Sequence, residues 1–141
     1  MIKFFELIPQ REPFVLVDEI VEVSESSTVT SFSFDESHIL CSNGHLIEVG
    51  VVENIAQSAA AGAGYHFVSK GRDIPIGFIG SVDKLVINFL PRIGDIIKTE
   101  INIDHKVMNV TLVSCISRVN GEVAATCKMK IFIIEKEEKS E

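Results

Sequence analysis

A carboxyl, a side-chain amide and two imidazoles fall close together in this chain, and they could do acid–base chemistry on a bound ligand. Glu53 stands between Val52 and Asn54 in an apolar run, where a charge is costly unless it works or is paired. Gln57 follows at i+4, so on a helix its amide reaches the same face and can orient the carboxyl. Near a helix N-terminus, Glu53 would also sit where free amides and the dipole favour an anionic ligand group. The alternative is a Glu53 on an exposed helix edge. His45 follows Asn43-Gly44 at or just before the helix start and could act as a general base near neutral pH. His38, in the same loop, is a second candidate. His45 precedes Glu53 by roughly two helical turns, too far for contact along one helix, so a joint site needs either a folded-back loop or a second subunit. Cys41 with His45 suggests a Cys/His nucleophile, but no nucleophile motif surrounds it. Gly77-Phe78-Ile79-Gly80 marks either close approach of a ligand or backbone, or a bulge.

The elements that must position these residues follow from hydrophobic period and turn chemistry. Val51, Val52, Ile55, Ala56, Ala59, Ala60 and Ala63 are spaced for one helical face and predict a buried helix over about 45–68. Its Ser58–Gly64 stretch is small enough for another backbone to approach closely. Before it, Phe14–Val23 and Thr28–Phe34 read as a hairpin joined by a serine-rich turn, and 35–44 reads as a loop. Ile2–Leu7 predicts one or two helical turns ended by Pro9 and Pro13. After the helix, Ile76–Phe89 reads as a long strand, and Ile97, Thr99, Ile101 and Ile103 alternate with polar residues as in a strand with one wet face. Val107–Arg118 and Glu122–Ile134 flank Asn120-Gly121, a strong hairpin signal because both turn residues tolerate positive φ. The acidic tail 135–141 is expected to fray. One helix and about six strands make an α+β chain, whose burial problem is solved by curling a sheet around the helix.

Composition narrows the function. With 141 residues, 46% of them hydrophobic and 23% charged, the chain suits a single folded domain over 1–141 and not a disordered one. The longest uncharged run, Asn54–Ser69, is too short and too polar to span a membrane. The N-terminal residues lack a long apolar secretory core, so a cytoplasmic location is expected. The 3 cysteines, Cys41, Cys115 and Cys127, are odd in number, show no metal spacing and read as reduced core thiols, so neither a disulfide framework nor a metal site is expected, and no cofactor is expected either. The 13 basic residues against 20 acidic ones, with no basic stripe, argue against nucleic acid as a ligand. The glycines form no phosphate-binding loop.

Several segments, in order, resemble the hotdog-fold β-hydroxyacyl-(acyl carrier protein) dehydratases. Residues 7–18, Leu-Ile-Pro-Gln-Arg-Glu-Pro-Phe-Val-Leu-Val-Asp, are similar to the family's opening L-P-H-R-x-P-F-L-L-V-D. Residues 51–57, Val-Val-Glu-Asn-Ile-Ala-Gln, are similar to its helix motif, two hydrophobics followed by E-A-M-A-Q. Gly80–Lys84 and Leu90–Asp95 resemble its G-I-D-K and V-P-G-D segments. The family's H-F-P-G-x-P histidine would fall at Ile39, one residue from His38, and the prolines of that loop are absent. Asn43–Glu48 looks more like a divergent branch associated with aryl-polyene and related pigment pathways, with a G-H-L element before the helix.

The resemblance implies a long helix wrapped by a curved antiparallel sheet, and a dimer in which a histidine of one protomer faces the helical carboxylate of the other. It implies removal of water from a 3-hydroxyacyl thioester of acyl carrier protein or coenzyme A. His45, with His38 as the alternative, would take the α-proton, and Glu53, held protonated by apolar surroundings, would protonate the leaving hydroxyl. Gln57 would orient Glu53, and an amide at Val49 or Gly50 would bond the thioester oxygen. Phe78, Ile79 and Gly80 would line the acyl tunnel. Lys70, Arg72, Lys84 and Arg92 are candidates for contact with an acidic carrier, although their ordinary reading is solvated surface. A hotdog thioesterase and a non-catalytic acyl-binding subunit of a hotdog heterodimer are the competing expectations.

Overall fold

The computed structural model describes residues 11–74 and 76–134, so the helical turns expected at 2–7 and the tail 135–141 lie outside the described residues. Strands β1 (Glu19–Val23) and β2 (Ser27–Phe32) form the first hairpin, closed by Ser24, whose hydroxyl accepts the amide of Ser27 at 3.1 Å. The strand expected to start at Phe14 begins only at Glu19. Phe14–Val17 is instead a strap whose backbone groups are taken by helix side chains, as described below. Its apolar composition reflects burial of Leu16 and Val17, not sheet pairing.

The next difference lies at 41–46. Cys41–Ser42 (β3) and His45–Leu46 (β4) pair across Asn43-Gly44, whose φ angles are 52° and 77°. Asn120-Gly121 makes the same turn, at 51° and 80°. Both dipeptides accept positive φ at both central residues, which is what a two-residue hairpin demands. His45 is therefore a strand residue, and helix α1 runs over Glu48–Ser69, three residues later than its apolar period suggests.

Helix α1 is the long apolar element, burying Val51, Asn54, Ile55, Gln57, Ser58 and Ala59 among others. Its small residues admit a side chain and not the backbone expected there: a Cβ at Gly62 would lie 2.3 Å from Oγ1 and 3.0 Å from Cβ of Thr28 on β2. Strands β5 (Ile76–Ile87), β6 (Ile97–Val107), β7 (Val110–Val119) and β8 (Glu122–Ile134) complete one antiparallel sheet in the order β1-β2-β6-β7-β8-β5. Alternate residues of β2, β6, β7 and β8 point at α1 and build the core with Phe32, Ile101, Val113 and Met129. Cys115 and Cys127 face each other in that core, and the hydrogen bond between them, with burial, pushes the Cys115 thiol above its ordinary range. Among the described residues one long helix packs against a six-stranded antiparallel sheet, as the hydrophobic pattern and the resemblance lead one to expect.

Candidate active site

The site is built outward from α1. Glu53 is half-buried on α1, and Gln57, one turn on, is fully buried. The Gln57 amide donates from Nε2 to Glu53 Oε1 at 3.1 Å, the contact expected from their spacing. Nε2 also donates to the Phe14 carbonyl at 2.8 Å, and Oε1 accepts the Leu16 amide at 2.8 Å. Both donors and the acceptor are thus engaged. A flipped amide would set Nε2 against the Leu16 N–H, so the donation to Glu53 is fixed in direction. Glu53 Oε2 is left as the oxygen that can carry a proton toward a ligand.

The two histidines differ in what their rings can still do. In His38, Nε2 lies 3.2 Å from the Val15 carbonyl, and Nδ1 accepts the Leu40 amide at 3.1 Å. A carbonyl takes only a donor, so Nε2 carries the proton and the Nδ1 lone pair is already occupied. The loop before it is held by Asp35, whose carboxyl lies below its ordinary range because the Ser37 hydroxyl and amide donate to it. In His45, Nδ1 lies 2.9 Å from the Asn43 carbonyl, which makes Nδ1 the protonated atom and leaves the Nε2 lone pair available. The loop carrying it docks on the 91–95 turn through Leu46 N to Pro91 O at 2.9 Å and Ile93 N to Gly44 O at 3.0 Å.

His45 opens on a groove of about 770 Å³, lined among others by Ser42, Glu48, Phe89, Arg92 and Asn120. Glu53, Gln57 and His38 do not line it. Within one protomer, Glu53 and Gln57 are joined and His38 lies behind the strap, whereas His45 faces a separate opening at the helix N-terminus. The amides of Glu48, Val49 and Gly50 precede the first helical bond, from Val51 N to Ile47 O, and no side chain caps them. Val49 is exposed and Gly50 is buried, where a Cβ would come 2.6 Å from Leu46 Cδ1.

Phe78 and Ile79 are exposed on β5, which ends the sheet. At Gly80 the strand bulges, and the place of a Cβ is taken by the Phe132 ring, 2.2 Å away. The approach there is thus a side chain of the same chain, not backbone. Of the four cations, Lys70 and Arg72 follow the C-terminus of α1, Lys84 sits in a second β5 bulge, and Arg92 shares the His45 groove. The 22-residue helix rises about 33 Å, so they form no single patch. Cys41 is half-buried, pairs with Leu46 in the small hairpin, and no structural feature links it to an imidazole nitrogen. Among the described residues no cluster of His, Cys, Asp and Glu could hold a metal ion.

Sequence reasoning missed Asn54, Thr99 and Ser117. Asn54 is only 1% exposed, and its amide donates to the Leu16 carbonyl at 2.7 Å and accepts the Thr99 hydroxyl at 2.6 Å. An asparagine inside so apolar a run was the available signal.

Residues 2–140 match the ApeP-like family, described as ApeP dehydratase. The 3-hydroxyacyl-[acyl-carrier-protein] dehydratase FabZ of Oceanobacillus iheyensis is 30% identical over 134 residues, covering 91% of this chain and 94% of that one. FabZ of Caldanaerobacter subterraneus is 28% identical over 136 residues, covering 92% and 94%. Among solved structures, the dehydratase heterocomplex ApeI:P from Xenorhabdus doucetiae superimposes with a TM-score of 0.87 at 15% identity, over 96% of this chain and 93% of that one. A hypothetical thioesterase with coenzyme A from Streptococcus pneumoniae superimposes with a TM-score of 0.66 at 12% identity, over 85% and 88%. Such identities speak for the fold alone, which is the hotdog arrangement of one helix against a six-stranded antiparallel sheet. By its near full-length match and its FabZ relatives, the chain belongs to the ApeP-like dehydratase family.

Proposed function

We propose that the protein removes water from a 3-hydroxyacyl thioester, carried on acyl carrier protein or coenzyme A, to leave a 2-enoyl thioester. The observation that carries this reading is the Gln57 amide locked onto Glu53 Oε1, which leaves Oε2 to protonate a departing hydroxyl. His45 Nε2 takes the α-proton, its tautomer set by the Asn43 carbonyl. As the Cα–H bond breaks, charge moves to the thioester oxygen, which a first-turn amide at Val49 or Gly50 is suited to receive. The C–O bond then breaks, the hydroxyl takes the Glu53 proton and leaves as water, and proton return from His45 to Glu53 closes the cycle. No metal or cofactor enters these steps.

The separation of Glu53 from the His45 groove favours a site completed by a second protomer. Edge strand β5 is suited to that contact, since Phe78, Val82, Leu85 and Val86 are all exposed on it. The second protomer is either a copy of this chain or a related hotdog subunit, as the ApeI:P heterocomplex suggests. The match over 2–140 supports a single domain. We assign it to the cytoplasm, in keeping with two facing free thiols in the core. Phe78 and Ile79 would meet the acyl chain at the protomer boundary.

The test is turnover of 3-hydroxyacyl and saturated acyl thioesters by the assembled protein. Enoyl product is expected, falling by about a hundredfold or more in Glu53→Gln with the fold retained. Release of free thiol in place of enoyl product would instead make it a thioesterase. No product from any assembly would make it the non-catalytic subunit.

A further inference from the structure

Asn54 lies beside Glu53 in sequence but faces the core, and every polar atom of its side chain is engaged. Its Nδ2 donates to the Leu16 carbonyl at 2.7 Å, and its Oδ1 accepts the Thr99 hydroxyl at 2.6 Å. Thr99 Oγ1 also lies 2.8 Å from Ser117 Oγ. A hydroxyl has one proton, and that of Thr99 goes to Asn54, so Ser117 must donate to Thr99. The hydrogen bonds therefore run one way, from Ser117 on β7 through Thr99 on β6 and Asn54 on α1 to the strap.

The strap is gripped on both sides of Leu16. Asn54 holds the Leu16 carbonyl, and Gln57 Oε1 holds the Leu16 amide at 2.8 Å. The peptide unit joining Val15 to Leu16 gives its N–H to Gln57 and its carbonyl to His38 Nε2. Gln57 then has one N–H for the Phe14 carbonyl and one for Glu53 Oε1. Free the Leu16 carbonyl, and the strap can slide, the Gln57 amide can turn with it, and the Glu53 carboxyl loses its fixed orientation. Thr99, Ser117 and Asn54 are each at most 1% exposed, so water cannot replace a missing partner without local rearrangement.

We propose that Asn54, held by Thr99 and Ser117, is a positioning residue for the catalytic acid: it registers strap 14–16 so that Gln57 must donate to Glu53 Oε1. This rests on the reading of Glu53 as that acid. The hydrogen-bond path passes through Gln57, so its effect on turnover must vanish when Gln57 is gone, whereas a packing role would not.

The experiment is a double-mutant cycle on dehydration, using Thr99→Val, which keeps the shape of the side chain and removes its hydroxyl. Thr99→Val is expected to lower kcat by about tenfold with KM within about twofold. Thr99→Ser, which restores the hydroxyl, should return kcat to within about twofold of the parent. In a Gln57→Leu background, Thr99→Val should cost no further turnover, although its Tm still falls. An unchanged kcat in Thr99→Val, a failed rescue by Thr99→Ser, or an equal loss in both backgrounds overturns the proposal. If Glu53→Gln itself sustains dehydration, the acid assignment falls and this inference with it. If Glu53→Gln is inactive and Thr99→Val is not impaired, only the positioning role falls.

Discussion

At the scale of single residues, hydrogen-bond valence decides which groups are free to react. His38 and His45 are equivalent by composition and nearly so by position, yet one has both ring nitrogens committed and the other has one open. His45→Ala should therefore lower turnover by about a hundredfold or more, the usual range for a lost general base. His38→Ala should act mainly on stability, by about 1–2 kcal/mol, because it strips a donor from Val15 and an acceptor from Leu40. Paired measurements of kcat and Tm on both variants check this, and the reverse ranking would move the base to His38. The Glu53–Gln57 contact was legible from i, i+4 spacing. The engagement of the remaining Gln57 atoms was not, since it depends on a strap some forty residues earlier in the chain.

Elements meet here through small residues. Gly62 gives up helix propensity, yet it is the notch into which Thr28 of β2 fits. Gly62→Ala would gain about 1 kcal/mol of propensity. Against that, the new Cβ would sit 3.0 Å from the Thr28 Cβ, which a change of rotamer cannot move. Overpacking of this kind costs about 1–3 kcal/mol, so the balance is a loss. Thermal denaturation should show a lower Tm for Gly62→Ala, partly recovered by adding Thr28→Ala, and a raised Tm would mean the helix can withdraw from the sheet. The 41–46 hairpin carries a second lesson. Asn43-Gly44 is the same turn signal as Asn120-Gly121, but it is flanked by strands too short to show a period, so the hydrophobic pattern alone assigned it to a loop.

For the whole molecule, the element that bears on assembly is β5. It closes the sheet on one side only, and its exposed apolar side chains leave an edge suited to a second protomer. Its two bulges, one at Gly80 and one holding Lys84 at a φ of 53°, interrupt the ladder with β8 and re-aim the side chains between them. Charges placed there should separate the protomers, because lysines buried in an apolar contact lose their hydration without gaining a partner. Val82→Lys with Val86→Lys is expected to shift sedimentation from an assembly to a monomer and to abolish enoyl formation while each protomer stays folded. An unchanged sedimentation coefficient would exclude β5 as the contact.

Apolar period, turn dipeptides and the i, i+4 spacing of Glu53 and Gln57 were enough to determine one buried helix, a largely antiparallel sheet and the contact between those two side chains. These are local properties, written within a few residues of one another. Tertiary structure alone decided that 14–17 is a strap and not a strand, that His45 has a free lone pair and His38 does not, and that Asn54 is bonded to both strap and sheet. Each of those depends on which distant backbone group arrives within about 3 Å of a side chain, and no spacing along a chain encodes that arrival.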